Sequence, residues 1–173
     1  MADEYLPLPM FHYRWTDDRV WCSRRQMFGW NGASSDTQLE KTAQAFLDRQ
    51  AAQLSSGALR REAMQRAYER FLEIMEDQLR HNLFFFGTRP SLADFGIYGQ
   101  MTQYAVDPTV CTLLKAQAVR AYQWTHHLGD LSGIEGEWFE PEAALTQQLA
   151  AFLRYTAEFY LPMAEALVNA LGM

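Results

Sequence analysis

The sequence predicts an all-α fold, a bundle of amphipathic helices with a helical extension at its C-terminal end. Three observations carry that prediction. Apolar residues recur at spacings of three and four along most of the chain, the period of one helix face. No β-α-β succession of apolar runs occurs, and no internal repeat. Finally, Ser91 and Asp94 bracket the start of an apolar run with the spacing of a capping box: the serine hydroxyl accepts from the N3 amide, and the aspartate reaches back to the Ser91 amide. Pro90 and Phe95 stand where a hydrophobic staple fixes the entry angle of the chain.

Taken in order, residues 1–16 carry two prolines, with Phe11, Tyr13 and Trp15 alternating with His12 and Arg14, and read as a linker or arm. Thr16 can cap a helix from Asp17, in which Val20, Trp21, Arg24, Met27 and Phe28 follow at helical spacing until Gly29 and Asn31-Gly32. Ser34-Ser35-Asp36 opens the next helix, with Leu39, Ala43, Phe46, Leu47, Gln50 and Leu54 on one face, and Ser55-Ser56-Gly57 ends it. The longest periodic segment runs from Leu59 to Leu79. Its apolar face is Leu59, Ala63, Ala67, Phe71, Ile74, Met75 and Leu79, and its wet side carries Arg60, Glu62, Arg66, Glu69, Arg70, Glu73 and Glu76.

The capped helix, Leu92 to about Ala105, has almost no polar face after Asp94, which predicts a buried rod with this long helix against it. Gly96 and Gly99 weaken it by about 1 kcal/mol each relative to alanine and suggest close neighbours. Asp107-Pro108 restarts the chain into a helix from about Thr109 or Leu113 to His127, and residues 129–136 form a loop. From Pro141, well placed at a first helical position, one last helix carries Leu145, Leu149, Phe152, Leu153, Phe159 and Tyr160. Pro162 kinks it before Ala164, Leu167, Val168 and Leu171.

With 173 residues, 49% of them hydrophobic and 14% aromatic, a core can form without metal or disulfide. A net charge of −6 with no dominant basic face argues against nucleic acid as a partner. No apolar run approaches the ~20 residues that cross a bilayer, and no charged leader followed by an apolar core marks a signal peptide, so no membrane partner and a cytoplasmic location are expected. Cys22 and Cys111 stand far apart and fit reduced, unpaired thiols.

Phe84-Phe85-Phe86-Gly87 before the capped start, the run Pro90-Ser91-Leu92-Ala93-Asp94, Asp107-Pro108 after its helix and Trp124 beyond it resemble one known arrangement. It is that of the C-terminal all-helical domain of the glutathione S-transferase family, in a bacterial branch with an extra helical tail. The detailed likeness spans roughly residues 59–130. It implies a linker or arm over 1–16 and a single helical domain over 17–173, divided into a transferase-like core, 17–136, and a tail, 137–173. In that family a thioredoxin-like domain precedes the helical one and supplies the glutathione site and the catalytic hydroxyl or thiol. The resemblance therefore implies that this catalytic domain is absent from the chain, which is the helical half of a larger protein or a standalone relative. The leader Glu4 to Pro9 then reads as an interdomain linker.

The same resemblance implies no cofactor in this chain, glutathione as co-substrate of the full-length protein, a homodimer, an N-terminal thioredoxin-like partner domain and a small electrophilic substrate. Helical domains of this kind lend aromatic walls to the electrophile pocket. By that analogy Phe11, Tyr13, Trp15 and Trp21 are the expected substrate-binding residues, and with Arg14, Arg24 and Arg25 they are expected to form a cleft or interdomain surface. A non-catalytic interaction or dimerisation module is the alternative, because fold alone does not fix function.

No catalytic residue is expected here. His126 and His127 point to different faces of a helix, and the acids Asp130, Glu135 and Glu137 lack fixed spacing, so a metal set is disfavoured; imidazoles suit a helix C-terminus instead. Cys111 near a helix start has no histidine nearby in sequence and reads as structural. The capping role accounts for Asp94.

Overall fold

The computed structural model describes residues 1–30, 35–54, 61–143 and 146–172. Asn31-Gly32, Ser34, Ser55-Ser56-Gly57, Leu59, Arg60 and Leu145, together with the side chain of Leu54, lie outside the described residues. Among those that are described the fold is all-α, with extended pairing limited to two isolated bridges, Phe84 to Gly87 and Gly87 to Trp138.

The first correction concerns residues 1–16, which are no arm. Pro7–Thr16 is helix α1, with Pro7 in the first turn, where its missing N–H costs nothing. So short a helix is stabilised by packing rather than propensity, and Tyr5, Leu6, Met10, Tyr13 and Trp15 are all buried. Tyr5 meets Tyr155 edge-on with ring centroids 6.1 Å apart, and the Tyr104 hydroxyl donates to the Leu6 carbonyl at 2.5 Å. The segment that opens the chain thus holds the tail to the core. Thr16 closes α1 instead of opening the next helix, its hydroxyl donating to the His12 carbonyl at 2.8 Å.

Helices α2 (Arg19–Trp30) and α3 (Asp36–Leu54) pack on each other and on α1. Helix α4 (Arg61–His81) buries Ala67, Phe71, Ile74 and Met75 of the predicted face and, beyond it, Met64, Tyr68, Leu72 and Gln78, with Ala63 and Leu79 half-buried, while Glu62, Arg66, Arg70 and Glu73 stay exposed. It is the shared element of the bundle, packing against α1 and against helices α6 (Pro108–Gln117), α7 (Val119–His127) and α8 (Gln147–Tyr155).

The capped helix is not that shared element, a second correction. Helix α5 (Leu92–Tyr104) buries Asp94, Ile97, Met101 and Tyr104 along one side, but Leu92 is 89% and Phe95 47% exposed. An apolar composition all round does not bury a helix when neighbours cover only one of its sides. Its contact with α4 runs through Tyr104, stacked on Tyr68 at 4.6 Å. A Cβ at Gly96 would stand 3.8 Å from the Ala2 side chain, an ordinary contact, whereas one at Gly99 would meet nothing within 4 Å.

The helix expected to run to His127 is broken at Ala118 into α6 and α7. The tail helix begins at Gln147 rather than Pro141, with the Thr146 hydroxyl accepting the Leu149 amide at 3.1 Å. The interruption expected at Pro162 takes the form of a π-helical turn, Thr156–Tyr160, before α9 (Leu161–Leu171). The loop before α5 is clasped by the segment after α7. Thr88 N–H donates to the Glu137 carbonyl at 3.0 Å and Phe139 N–H to the Phe86 carbonyl at 2.7 Å. Gly87 stands at the crossing with φ +146°, and a Cβ there would fall 2.3 Å from the Glu137 oxygen, so only glycine fits.

Candidate functional site

Helices α1 and α2 meet the end of α5 at a corner where polar chemistry is concentrated. Asp107, which follows α5, is fully buried and receives two guanidinium groups. Arg14 Nε on α1 lies 2.6 Å from Oδ2, and Arg25 Nη2 on α2 lies 3.4 Å from Oδ1. Arg14 Nη2 also donates to Gln103 Oε1 at 3.2 Å. Burying a carboxylate is tolerable only with such partners. Although Asp107 holds the N-cap position of α6, its side chain makes no cap there. That role falls to Asp18 in the α1–α2 connection, which accepts the Thr109 amide and the Thr109 hydroxyl, both at 2.8 Å. Cys22 lies fully buried beside this cluster. Burial, and after it the charge of Asp107, pushes its thiol up to about 12, which makes it inert at neutral pH.

Two hollows open from this corner. One, of about 650 Å3, is lined by Val20, Trp21, Arg24, Arg25 and Phe28, with Asp17 and Asp18. The other, of about 560 Å3, is lined by Arg14, Arg25, Gln26, Gly29 and Gln103. Arg25 belongs to both walls, its guanidinium carbon 5.3 Å from the centre of the Trp21 ring, and Arg24 lies 5.6 Å from that of Phe28. Helix α2 sets this up through its spacing: Trp21, Arg24, Arg25 and Phe28 fall at steps of three and four and share one face.

The four aromatics expected to form one wall do not come together. Trp21 lines the larger cleft and is 43% exposed. Trp15 faces α3, its ring 5.1 Å from Phe46, and lines a separate recess of about 180 Å3. Phe11 packs beside Trp15 at 6.2 Å, and Tyr13 lies in the core against Tyr68 at 6.1 Å. The physical reason is angular: in α1, residues 11 and 15 share a face while residue 13, two positions from each, points away from it. Of the arginines, Arg14, Arg24 and Arg25 do line the two hollows. Phe28, Gln103 and Asp107 are wall or anchor residues that sequence reasoning did not assign. An aspartate before a proline reads as an ordinary helix cap, and only the tertiary contacts reveal its other use.

At the start of α5, the Asp94 carboxylate accepts the Ser91 amide at 2.8 Å, the Ser91 hydroxyl at 2.6 Å and the Phe85 amide at 3.1 Å. The hydroxyl therefore donates to the aspartate, a direction absent from the simple box. Burial raises the Asp94 carboxyl above its ordinary value, outweighing these hydrogen bonds. His126 is exposed and meets the Tyr122 ring at 4.6 Å; His127 is exposed beside Trp124 in a recess of about 290 Å3. Among the described residues, no group of three or more His, Cys, Asp or Glu side chains is placed to hold a metal ion, and no helix is long and apolar enough to cross a membrane.

Residues 58–125 match the family model described as Glutathione S-transferase, C-terminal domain. Over that span the chain resembles the all-helical second domain of this family, and the match covers the start of α5 and Trp124, whose indole N–H donates to the Leu83 carbonyl at 2.9 Å. No curated protein and no solved structure matches the chain.

Proposed function

We propose that the chain acts as the C-terminal helical domain of a glutathione S-transferase-like protein, and that the cleft along α2 is its electrophile-side wall. The attachment of glutathione then takes place on a thioredoxin-like domain outside these 173 residues, and the helical domain binds and orients the acceptor. The observation that carries this reading is the cleft of about 650 Å3, in which the exposed side chains of Val20 and Trp21 and the half-buried ring of Phe28 stand beside two guanidinium groups. Apolar rings with a few placed polar groups are what a small-molecule site requires. No residue in the cleft is set up as a nucleophile with a base, so its part is binding.

Isothermal titration of a neutral aromatic probe, naphthalene-2-carboxamide, tests the cleft. Binding that Trp21→Ala weakens about tenfold, with melting unchanged, is expected; equal affinity in both proteins removes Trp21 from the site. In a glutathione-conjugation assay this chain alone should give no turnover above background, and robust turnover would overthrow the division of labour.

A second reading, a dimerisation or interaction module, is favoured by α9, where Leu161, Leu167, Val168 and Leu171 are exposed and no residue is buried. Sedimentation of the wild type and of Leu167→Lys/Leu171→Lys separates it from the first: a dimer lost in the variant supports this role, and a monomer at all concentrations ends it.

A further inference from the structure

Helix α9 is held at its base and free beyond it. Phe159, in the π-helical turn, meets Tyr5 with ring centroids 6.1 Å apart, and Met163 reaches the core, but every residue from Glu165 to Gly172 is exposed. A helix of 11 residues without neighbours is marginal in water. Leu161, Leu167, Val168 and Leu171 nonetheless share one side of it, and Glu165 is its only charge. With neither lysine nor arginine, α9 lacks the basic side by which an interfacial helix is held on an anionic bilayer, so its apolar side calls for a protein surface.

The outer side of α5 has the matching character. Leu92, Phe95, Gly99 and Thr102 follow at steps of three and four, with Val106 beyond the helix end, and the one charge of α5, Asp94, is buried. A Cβ at Gly99 would meet nothing within 4 Å, so the stripe dips between Phe95 and Thr102, where a ridge of leucines can seat. By contrast α3 exposes Glu40, Lys41, Asp48 and Arg49, and α4 a comparable set of charges. The two apolar surfaces border the same turn of chain: Gln100 Nε2 donates to Asp3 Oδ1 at 3.2 Å, and two residues further on Tyr5 meets Phe159 at the base of α9. A second copy approaching there meets both.

We infer that two copies of this chain exchange their last helices, the apolar side of α9 in each lying along the outer side of α5 in the other. This deepens the dimerisation reading and rests on it. Area decides between exchange and the pairing of α9 with itself. A rod about 16 Å long and 10 Å across, half covered on each partner, buries about 500 Å2 in all. A specific interface needs about 1,000 Å2. Two α9 helices pairing across a two-fold axis make one such contact and fall short, whereas exchange makes the contact twice and reaches that size. Each copy carries a net charge of −6, and this pairing brings only Glu165 of each helix close to the partner.

Sedimentation of the full chain over a concentration series tests the exchange with a variant on the receiving side, Leu92→Lys/Gly99→Lys. Leu92 is already 89% exposed and a side chain at Gly99 has open space, while lysine favours a helix more than glycine does, so this variant keeps the fold and its far-UV circular dichroism. The wild type should dimerise, and the variant should weaken the dimer at least tenfold, as Leu167→Lys/Leu171→Lys does on the inserting side. An equimolar mixture of the two variants should form more dimer than either alone, because one of the two contacts is intact in the mixed pair. A dimer lost in Leu167→Lys/Leu171→Lys but kept in Leu92→Lys/Gly99→Lys, or a mixture that gains nothing over its components, sinks the exchange and leaves the dimerisation reading standing. A wild type that is monomeric at all concentrations ends that reading and this inference with it.

Discussion

Helices α5 and α7 solve the same problem by opposite means. Each begins with free amide donors that need an acceptor. At α5 the acceptor is Asp94, inside the helix's own first turn, reaching back to Ser91 and across to Phe85. At α7 it is Glu76 of α4, whose Oε2 receives the Arg120 amide at 2.8 Å while Oε1 pairs with the Arg120 guanidinium at 2.6 Å. Helix α6 follows the second pattern, with Asp18 receiving Thr109. A cap supplied from within forms wherever the local chain turns correctly. A cap supplied from another helix exists only once both have docked, so it couples the start of one helix to the assembly of the bundle. That coupling also explains the break at Ala118: with φ −142° and ψ 66° the chain leaves the helical region there, and Glu76 compensates for the new helix start.

The largest expected effect lies on the local side. Asp94→Ala leaves the buried Phe85 amide and the Ser91 amide without their acceptor and should cost about 3 kcal/mol in denaturant unfolding. A loss below about 1 kcal/mol would mean that the first turn needs no such acceptor. Asp18→Ala, which removes both contacts to Thr109, should cost about 2 kcal/mol and speed hydrogen exchange at the start of α6. Unchanged exchange there would break the idea that caps can come from remote helices. Glu76→Ala should cost about 1 kcal/mol, since Arg120 is half exposed and its charge is screened, with faster exchange confined to α7 and α5 unaffected.

His12 extends the comparison to a buried polar group with neither kind of partner, because both its ring nitrogens lack a hydrogen bond among the described residues. Burial, followed by the positive charge of Arg61, lowers its pKa from the ordinary 6.5. The folded state therefore takes up the proton less readily than the unfolded one. Its stability is full above pH 6.5 and falls as the pH drops from there towards the folded value. His12→Phe should flatten that slope in thermal melts at successive pH values. An identical slope in both proteins would show that His12 does not set it.

Much of the bundle was legible in the residue pattern, for reasons that differ by element. The face of α4 could be read directly because Ala67, Phe71, Ile74 and Met75 alternate with charges at the helical period. Helix α1 could not, since two prolines and ten residues give it little helix tendency of its own, and Tyr5, Leu6 and Tyr13 hold it by burial instead. The depth of α5 was misjudged because composition records which side chains tolerate burial and not which sides have neighbours. Of the residues expected by analogy with the family, Trp21, Arg14, Arg24 and Arg25 line the two hollows, while Tyr13 and Trp15 are drawn into other packing and Asp107 reads as a cap.

What the amino-acid order settled by itself is whatever depends on residues a few positions apart: helical periodicity, the facing pair Ser91 and Asp94, and the shared face of Trp21, Arg24, Arg25 and Phe28 along α2. What only the tertiary structure decided is whatever requires groups distant in the chain to meet: Arg14 and Arg25 on Asp107, Asp18 on Thr109, Glu76 on Arg120. Local geometry follows from the fixed rise and turn of the helix. The partners of a buried charge are chosen by which helices dock, and no short-range pattern encodes that choice.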